Sequence, residues 1–287
     1  MTEYLTNKRH IVFMSDFGRR DNYVAICEGV MQSIAPQSSL IHLSHDIPPQ
    51  SLPAANYCLE HSFAYMPNGS IFCVVVDPGV GSSREGVALE LDFNSLQNGT
   101  AKDKRYYAVG PNNGVLSCLI KHATSVSAVE LNSPEAQLSK PSNTFHGRDI
   151  FSPAAAHLAN DKPLNFLGSP LDTDLLVLLD DSIAQENQHG FEARIIDIDR
   201  FGNLITNLSA TQLEEVALGK YDRVNVQVEG VLIRGISSTF SDVRVGKLVA
   251  YIGSSNRLEI ALRDGSARAY LGVKTGGIID VHLRSSK

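Results

Sequence analysis

The sequence predicts an α/β protein. An N-terminal domain on a largely parallel sheet spans residues 1–185, and a small antiparallel β domain spans residues 190–287. Three observations carry that expectation. Strand-like and helix-like stretches alternate at short intervals over residues 10–76, as in a sheet with helices on its faces. The strands there are continuous apolar runs, the pattern of strands covered on both sides. After Gly190 the texture changes to short strands split by turns, which reads as a barrel or sandwich.

Residues 10–14 form the first strand. It ends in Ser15-Asp16-Phe17-Gly18, and Asn22 is placed to cap the next helix. In that helix Val24, Cys27, Val30, Met31 and Ile34 share one face, and Pro36 ends it. Residues 40–43 are the second strand, followed by Ser44-His45-Asp46 and a loop held extended by Pro48 and Pro49. A second amphipathic helix is expected over residues 52–65, and residues 71–76 make the central strand. Three consecutive strands thus end in polar loops on one edge of the sheet.

Residues 87–91 and 106–109 read as a strand pair, joined by a polar loop over residues 92–105. Gly110-Pro-Asn-Asn-Gly114 is another glycine-rich strand end, ahead of an apolar helix at 115–120 and a strand at 126–131. An alanine-rich helix covers 153–159, and the domain boundary falls in the irregular stretch 161–190. Residues 194–199, 223–228, 231–236, 248–252, 258–262 and 278–283 are the strands of the second domain.

With 43% hydrophobic residues in 287, the chain can fill two cores. A formal net charge of -6 disfavours nucleic acid and anionic membrane as partners. No apolar run approaches membrane-spanning length and residues 1–10 carry no signal region, so the expected location is the cytoplasm. Cys27, Cys58, Cys73 and Cys118 lack C-x-x-C spacing and read as reduced core residues, neither bridges nor zinc ligands. Asn68, Asn98 and Asn207 begin glycosylation-type triplets and read as surface turns.

The stretch from Cys73 to Arg84 organises the rest. Pro78 removes a ladder donor, and Gly79 and Gly81 permit positive φ. Asp77 is then presented at the carboxyl end of an inner strand, where open α/β sheets bind ligands, and Arg84 can turn back to the same crevice. These residue types serve equally as a turn cap and a solvated cation. His146, just before the alanine-rich helix, is a candidate proton handler, although a single histidine is more often structural. Loops 199–203 and 253–256 each set a glycine beside groups able to bind a purine or an amino acid; ordinary hairpin corners look the same.

Met14-Ser-Asp-Phe-Gly18, Asp21, Val76-Asp-Pro-Gly-Val-Gly81, Gly110-Pro-Asn-Asn-Gly114, Thr144-Phe-His-Gly-Arg-Asp149, Phe201-Gly-Asn203 and Gly253-Ser-Ser255 occur in that order. Together they resemble the S-adenosyl-L-methionine hydroxide adenosyltransferases, adenosine-forming hydrolases related to fluorinases and chlorinases. The resemblance covers nearly the whole chain. It implies a C-terminal β-barrel and a homotrimer, with each site formed by the N-terminal domain of one subunit and the C-terminal domain of its neighbour. It implies S-adenosyl-L-methionine as substrate, with no cofactor and no metal. Asp77, Arg84 and His146 match the family's water-handling residues. Asp16 matches its ribose-binding carboxylate, Asp21 a nearby acid and Thr144 a residue beside the reacting centre. Asn203 matches the adenine-binding residue; Asp199, across a one-residue gap, and Ser254 with Ser255 match contacts to the methionine end. His146-Gly147 stands where the halogenases carry Tyr-Ser, which disfavours halide as nucleophile.

The implied chemistry is in-line attack of water or hydroxide at ribose C5′, releasing adenosine and L-methionine. The sulfonium leaves as a neutral thioether, so no general acid is needed on that side. Arg84 would stabilise a hydroxide-like oxygen, Asp77 or His146 would take the proton, and Arg84 would keep His146 neutral. Three rivals stand beside this reading. Asp16, Asp21, His45, Asp46, Asp77 and His146 supply donors for a metal-dependent phosphohydrolase, although no paired H-x-x-x-H spacing occurs. A non-catalytic adenosine or S-adenosylmethionine sensor needs no such triad, and a halogenase needs a halide pocket.

Overall fold

A computed structural model describes residues 9–94, 103–180 and 184–284. The chain divides into two compact units between Leu179 and Asp180.

The first unit runs β1 (His10–Ser15), α1 (Tyr23–Ile34), β2 (Ser39–Ser44), α2 (Leu52–Glu60), β3 (Ile71–Val75), β4 (Gly86–Phe93), β5 (Lys104–Pro111), α3 (Ser117–His122), β6 (Ser125–Glu130), α4 (Ser152–Ala159) and β7 (Pro170–Leu171). Its sheet has the order β2-β1-β3-β5-β4-β6-β7. The half β2-β1-β3-β5 is parallel, and β4, β6 and β7 add on antiparallel. The polar ends of β1, β2 and β3 therefore do share one edge.

Strand alternation explains the continuous apolar runs. Ile11, Phe13, Ile71, Cys73 and Val75 point into a core with Val24, Cys27 and Met31 of α1 and the alanines of α4. Val12, Met14, Phe72, Val74 and Val76 point into a second core with Ala54, Ala55 and Leu59 of α2. Both faces are covered, so successive residues are all apolar.

Local details differ from expectation. Asn22 stands at the start of α1 without a side-chain capping bond. The second helix stops at Glu60, and residues 63–65 form a separate 3-10 turn. Of the two loop glycines, Gly81 adopts positive φ, at 77°, and Gly79 does not. A π-helical turn, Gly147–Phe151, precedes α4.

The second unit comprises β8 (Gln185–Asn187), β9 (Gly190–Ile198), β10 (Leu204–Ser209), α5 (Ala210–Ala217), β11 (Val224–Val228), β12 (Val231–Arg234), β13 (Leu248–Ile252), β14 (Arg257–Leu262), α6 (Ala267–Leu271) and β15 (Ile278–Leu283). Its strands pair antiparallel in the order β12-β11-β15-β9-β10-β14-β13, with β8 on β9. A bridge from Ser237 to Tyr251 of β13 brings the ends of the path together, so the sheet is a nearly closed barrel around one core.

Strand β10 escapes the sequence reading because Thr206 and Asn207 make it look polar. Both are buried and satisfied: the Thr206 hydroxyl donates to the Leu258 carbonyl at 2.8 Å, and Asn207 Oδ1 accepts from the Arg194 N–H at 2.8 Å. Asn207 is thus a strand residue and no surface turn; Asn98 lies outside the described residues. All four cysteines are free, with Cys27, Cys73 and Cys118 buried. Among the described residues no helix is long and apolar enough to cross a membrane.

Candidate active site

Asp77 leaves the end of β3 through a tightly fixed backbone. Asn113 donates to the Val76 carbonyl at 3.0 Å, and a Cβ on Gly110 would press to 2.6 Å from the Val74 carbonyl. At left-handed Gly81 a Cβ would strike the Asn143 carbonyl, so the loop after Asp77 lies against the loop carrying Thr144 and His146.

That contact closes a triad. Arg84 Nε donates to Asp77 Oδ1 at 2.9 Å. One Arg84 terminal nitrogen pairs with Asp77 Oδ2 and lies 2.8 Å from His146 Nδ1. The Asp77 and Arg84 side chains keep only 5% and 11% of their surface exposed. The guanidinium rests over the Phe151 ring at 5.2 Å. Arginine donates only, so His146 Nδ1 is the acceptor and the ring proton is on Nε2. Burial, followed by the neighbouring Arg84 charge, holds the His146 pKa below its ordinary 6.5, against the pull of Asp77 and Asp149. The imidazole is therefore neutral at pH 7.

Asp16 follows β1, and its Oδ2 accepts from the Gln50 N–H at 2.8 Å. Its neighbour Phe17 packs with Tyr23 and Phe145 at centroid distances of 5.6 and 5.8 Å. Gly147 fits here because a Cβ would come within 3.1 Å of both Phe17 and Val75. The segments bearing Asp16, Asp77 and His146 are thus packed on one another. Thr144 and Asp21 are exposed.

In the second unit Asp199 organises its own loop. Oδ1 accepts from the N–H groups of Phe201 and Asn203, each at 2.9 Å, and Oδ2 accepts from the Asn203 side-chain amide at 2.8 Å. Ser254 is exposed on the β13–β14 turn, while Ser255 is buried and donates to Glu259 Oε1 at 3.1 Å. Glu259 also accepts from the Tyr251 hydroxyl at 2.6 Å and fills the space beneath Gly253.

Sequence reasoning overlooks the aromatic cluster and Glu259. An aromatic residue flanks Asp16 and another flanks His146, which was a usable signal. Glu259 offers none, since only the strand register sets it opposite Tyr251. For the metal rival, Asp77 is taken up by a guanidinium, and both ring nitrogens of His45 are engaged, with Ser15 and His42. Among the described residues no group of three His, Cys, Asp or Glu is placed to hold a metal ion.

Residues 11–168 match the SAM hydroxide adenosyltransferase N-terminal domain, and residues 193–280 match the corresponding C-terminal domain. The chain is 36% identical to an (R)-S-adenosyl-L-methionine hydrolase of Thermus thermophilus, over 93% of this chain and 97% of that one. It is 31% identical to a fluorinase of Nocardia brasiliensis, over 97% and 99%. The crystal structure of an uncharacterized conserved protein from Thermotoga maritima superposes with a TM-score of 0.79 at 30% identity, covering 94% of this chain and 99% of that one.

Proposed function

The chain belongs to the S-adenosyl-L-methionine hydroxide adenosyltransferase family, and we propose that it cleaves its substrate with the Asp77–Arg84–His146 triad. It hydrolyses S-adenosyl-L-methionine to adenosine and L-methionine. The observation that carries the residue assignment is the Arg84 fork, which serves a carboxylate and a neutral imidazole at once.

Water attacks C5′ opposite the sulfonium; the new C–O bond forms as the C–S bond breaks and methionine departs with the electron pair. Arg84 and the Nε2–H of His146 hold the attacking oxygen. Because His146 Nδ1 is committed to Arg84, the proton released by water passes to Asp77, which retains lone pairs beyond those it gives Arg84. Holding oxygen and carbon at roughly 3–3.5 Å contributes several kcal/mol, and base assistance contributes about 10²–10⁴-fold. Asp16 takes the ribose hydroxyls and Thr144 flanks the reacting centre. Asn203 reads adenine; Asp199, Ser254 and Ser255 take the methionine end, and Asp21 supports the ribose side.

No cofactor enters this reaction. The assembly we propose is a homotrimer in which the first unit of one copy and the second unit of a neighbour supply ligand groups together. Family resemblance supports it, and mass in solution tests it. Four free cysteines favour action in the cytoplasm. Incubation with S-adenosyl-L-methionine, followed by chromatography, tests the function: adenosine and methionine are expected, and unchanged ligand would indicate a sensor. The fluorinase relative makes halide the second nucleophile to test. The crowding that a side chain at Gly147 would meet from Phe17 and Val75 argues for water, so fluoride or chloride should yield no 5′-halogenated nucleoside.

A further inference from the structure

A second polar chain, which the reaction above does not use, runs beneath the Asp16 turn. Ser15 Oγ lies 2.7 Å from His45 Nδ1, and His45 Nε2 lies 2.8 Å from His42 Nδ1. His42 Nε2 faces Glu28 Oε1 at 3.5 Å. A carboxylate only accepts, so Glu28 draws a proton of His42 onto Nε2. With His42 Nδ1 as acceptor, His45 donates from Nε2 and accepts the Ser15 hydroxyl at Nδ1. Ser15 and His45 are fully enclosed, with Phe13 edge-on to the His45 ring at 4.7 Å. Burial, with help from His42 and Arg19, pushes the His45 pKa down to about 4, so the His45 ring is neutral at pH 7.

The inner end of this chain is the residue before Asp16. His45 and the loop after it each hold the same turn once more. Its carbonyl accepts from the Gly18 N–H at 2.7 Å, and its chain continues into the loop whose Gln50 N–H bonds Asp16 Oδ2 at 2.8 Å. Enclosing the His45 imidazole and the Ser15 hydroxyl is costly unless every bond is made. Satisfied in this way, they make the turn rigid.

We propose that His45, oriented through His42 by Glu28, is a positioning residue that fixes the Ser15–Gly18 turn so that the Asp16 carboxylate meets the ribose hydroxyls. This deepens the proposed function and rests on Asp16 binding ribose. It differs from a general packing role in one respect: its effect must vanish for a nucleoside without those hydroxyls.

The test is calorimetric binding of adenosine and of 2′,3′-dideoxyadenosine to the full chain. His45→Gln reaches toward His42 but drops the Ser15 bond, and Ser15→Ala deletes that bond directly. Each should weaken adenosine by about five- to tenfold while dideoxyadenosine stays within about twofold of wild type. His45→Asn, whose carbonyl replaces Nδ1, should recover most of the adenosine affinity. Equal losses for both nucleosides, or wild-type adenosine affinity in both Ser15→Ala and His45→Gln, would overturn the proposal. Should His45→Gln not fold, Ser15→Ala carries the same comparison. Failure of the wild-type protein to bind adenosine would overturn the functional reading instead, and this inference with it.

Discussion

Two histidine-containing chains lie at one edge of the first sheet, and they end differently. Asp77–Arg84–His146 has a guanidinium at its centre and, in the proposed reaction, an imidazole N–H and a carboxylate that act on the ligand. Ser15–His45–His42–Glu28 has a second imidazole where the first chain has arginine, and its inner end is enclosed. Both histidines are held below their ordinary pKa, mainly by burial. The shift alone therefore does not mark a reacting group. What separates them is the fixed positive charge of Arg84 in the first chain, against a Ser15–His45 pair in the second that braces a turn.

The sharpest way to break this contrast is to disable the first chain. Asp77→Asn should lower turnover by about 10²–10⁴-fold while adenosine binding holds, measured by steady-state kinetics and calorimetry. His146→Ala removes one hydrogen bond to the attacking oxygen and should cost about 10–10²-fold in kcat. The acid limb of kcat/KM should fall below pH 6.5. In the proposed mechanism His146 works as the neutral ring; its folded pKa is lowered, so activity should be lost only as pH falls through that lowered value.

The second chain should show itself in stability. As pH falls through 6.5 the unfolded chain protonates His45 first, whereas the folded protein resists until about 4. Stability is fully present above 6.5 and is lost between these values, by about 3 kcal/mol. The groups facing His45 are His42, Arg19 and Asp46, with Glu28 behind His42. Denaturant titrations of His45→Phe should show a shallower loss across that window. A smaller effect is expected at Gly147→Ser, where the added side chain meets Phe17 and Val75 and should cost about 1–3 kcal/mol without creating halide turnover. Chelator treatment should change nothing; a loss of activity would revive the metal reading.

The two chains also differ in how far the sequence shows them. Asp77 and Arg84 are seven residues apart on one Pro-Gly loop at the end of an apolar strand, so local chemistry reveals them. His146 is reached only through the order of motifs, because its bond to Arg84 spans 62 residues of chain. Ser15 and His45 carry no local pattern; only the parallel pairing of β1 with β2 brings them together. The apolar strands of the first sheet were readable because both faces are covered. Strand β10 was not, since its buried Thr206 and Asn207 are paid for by bonds that composition cannot display. The π-helical turn at Gly147–Phe151 likewise has no periodic signal.

The most direct test of the central claim is turnover of S-adenosyl-L-methionine in water enriched in heavy oxygen, with mass analysis of both products. Attack by a water held at Asp77, Arg84 and His146 predicts label in the 5′-hydroxyl of adenosine and none in methionine, lost together with turnover in Asp77→Asn. Unlabelled adenosine, or full labelling at wild-type rate in Asp77→Asn, would contradict it.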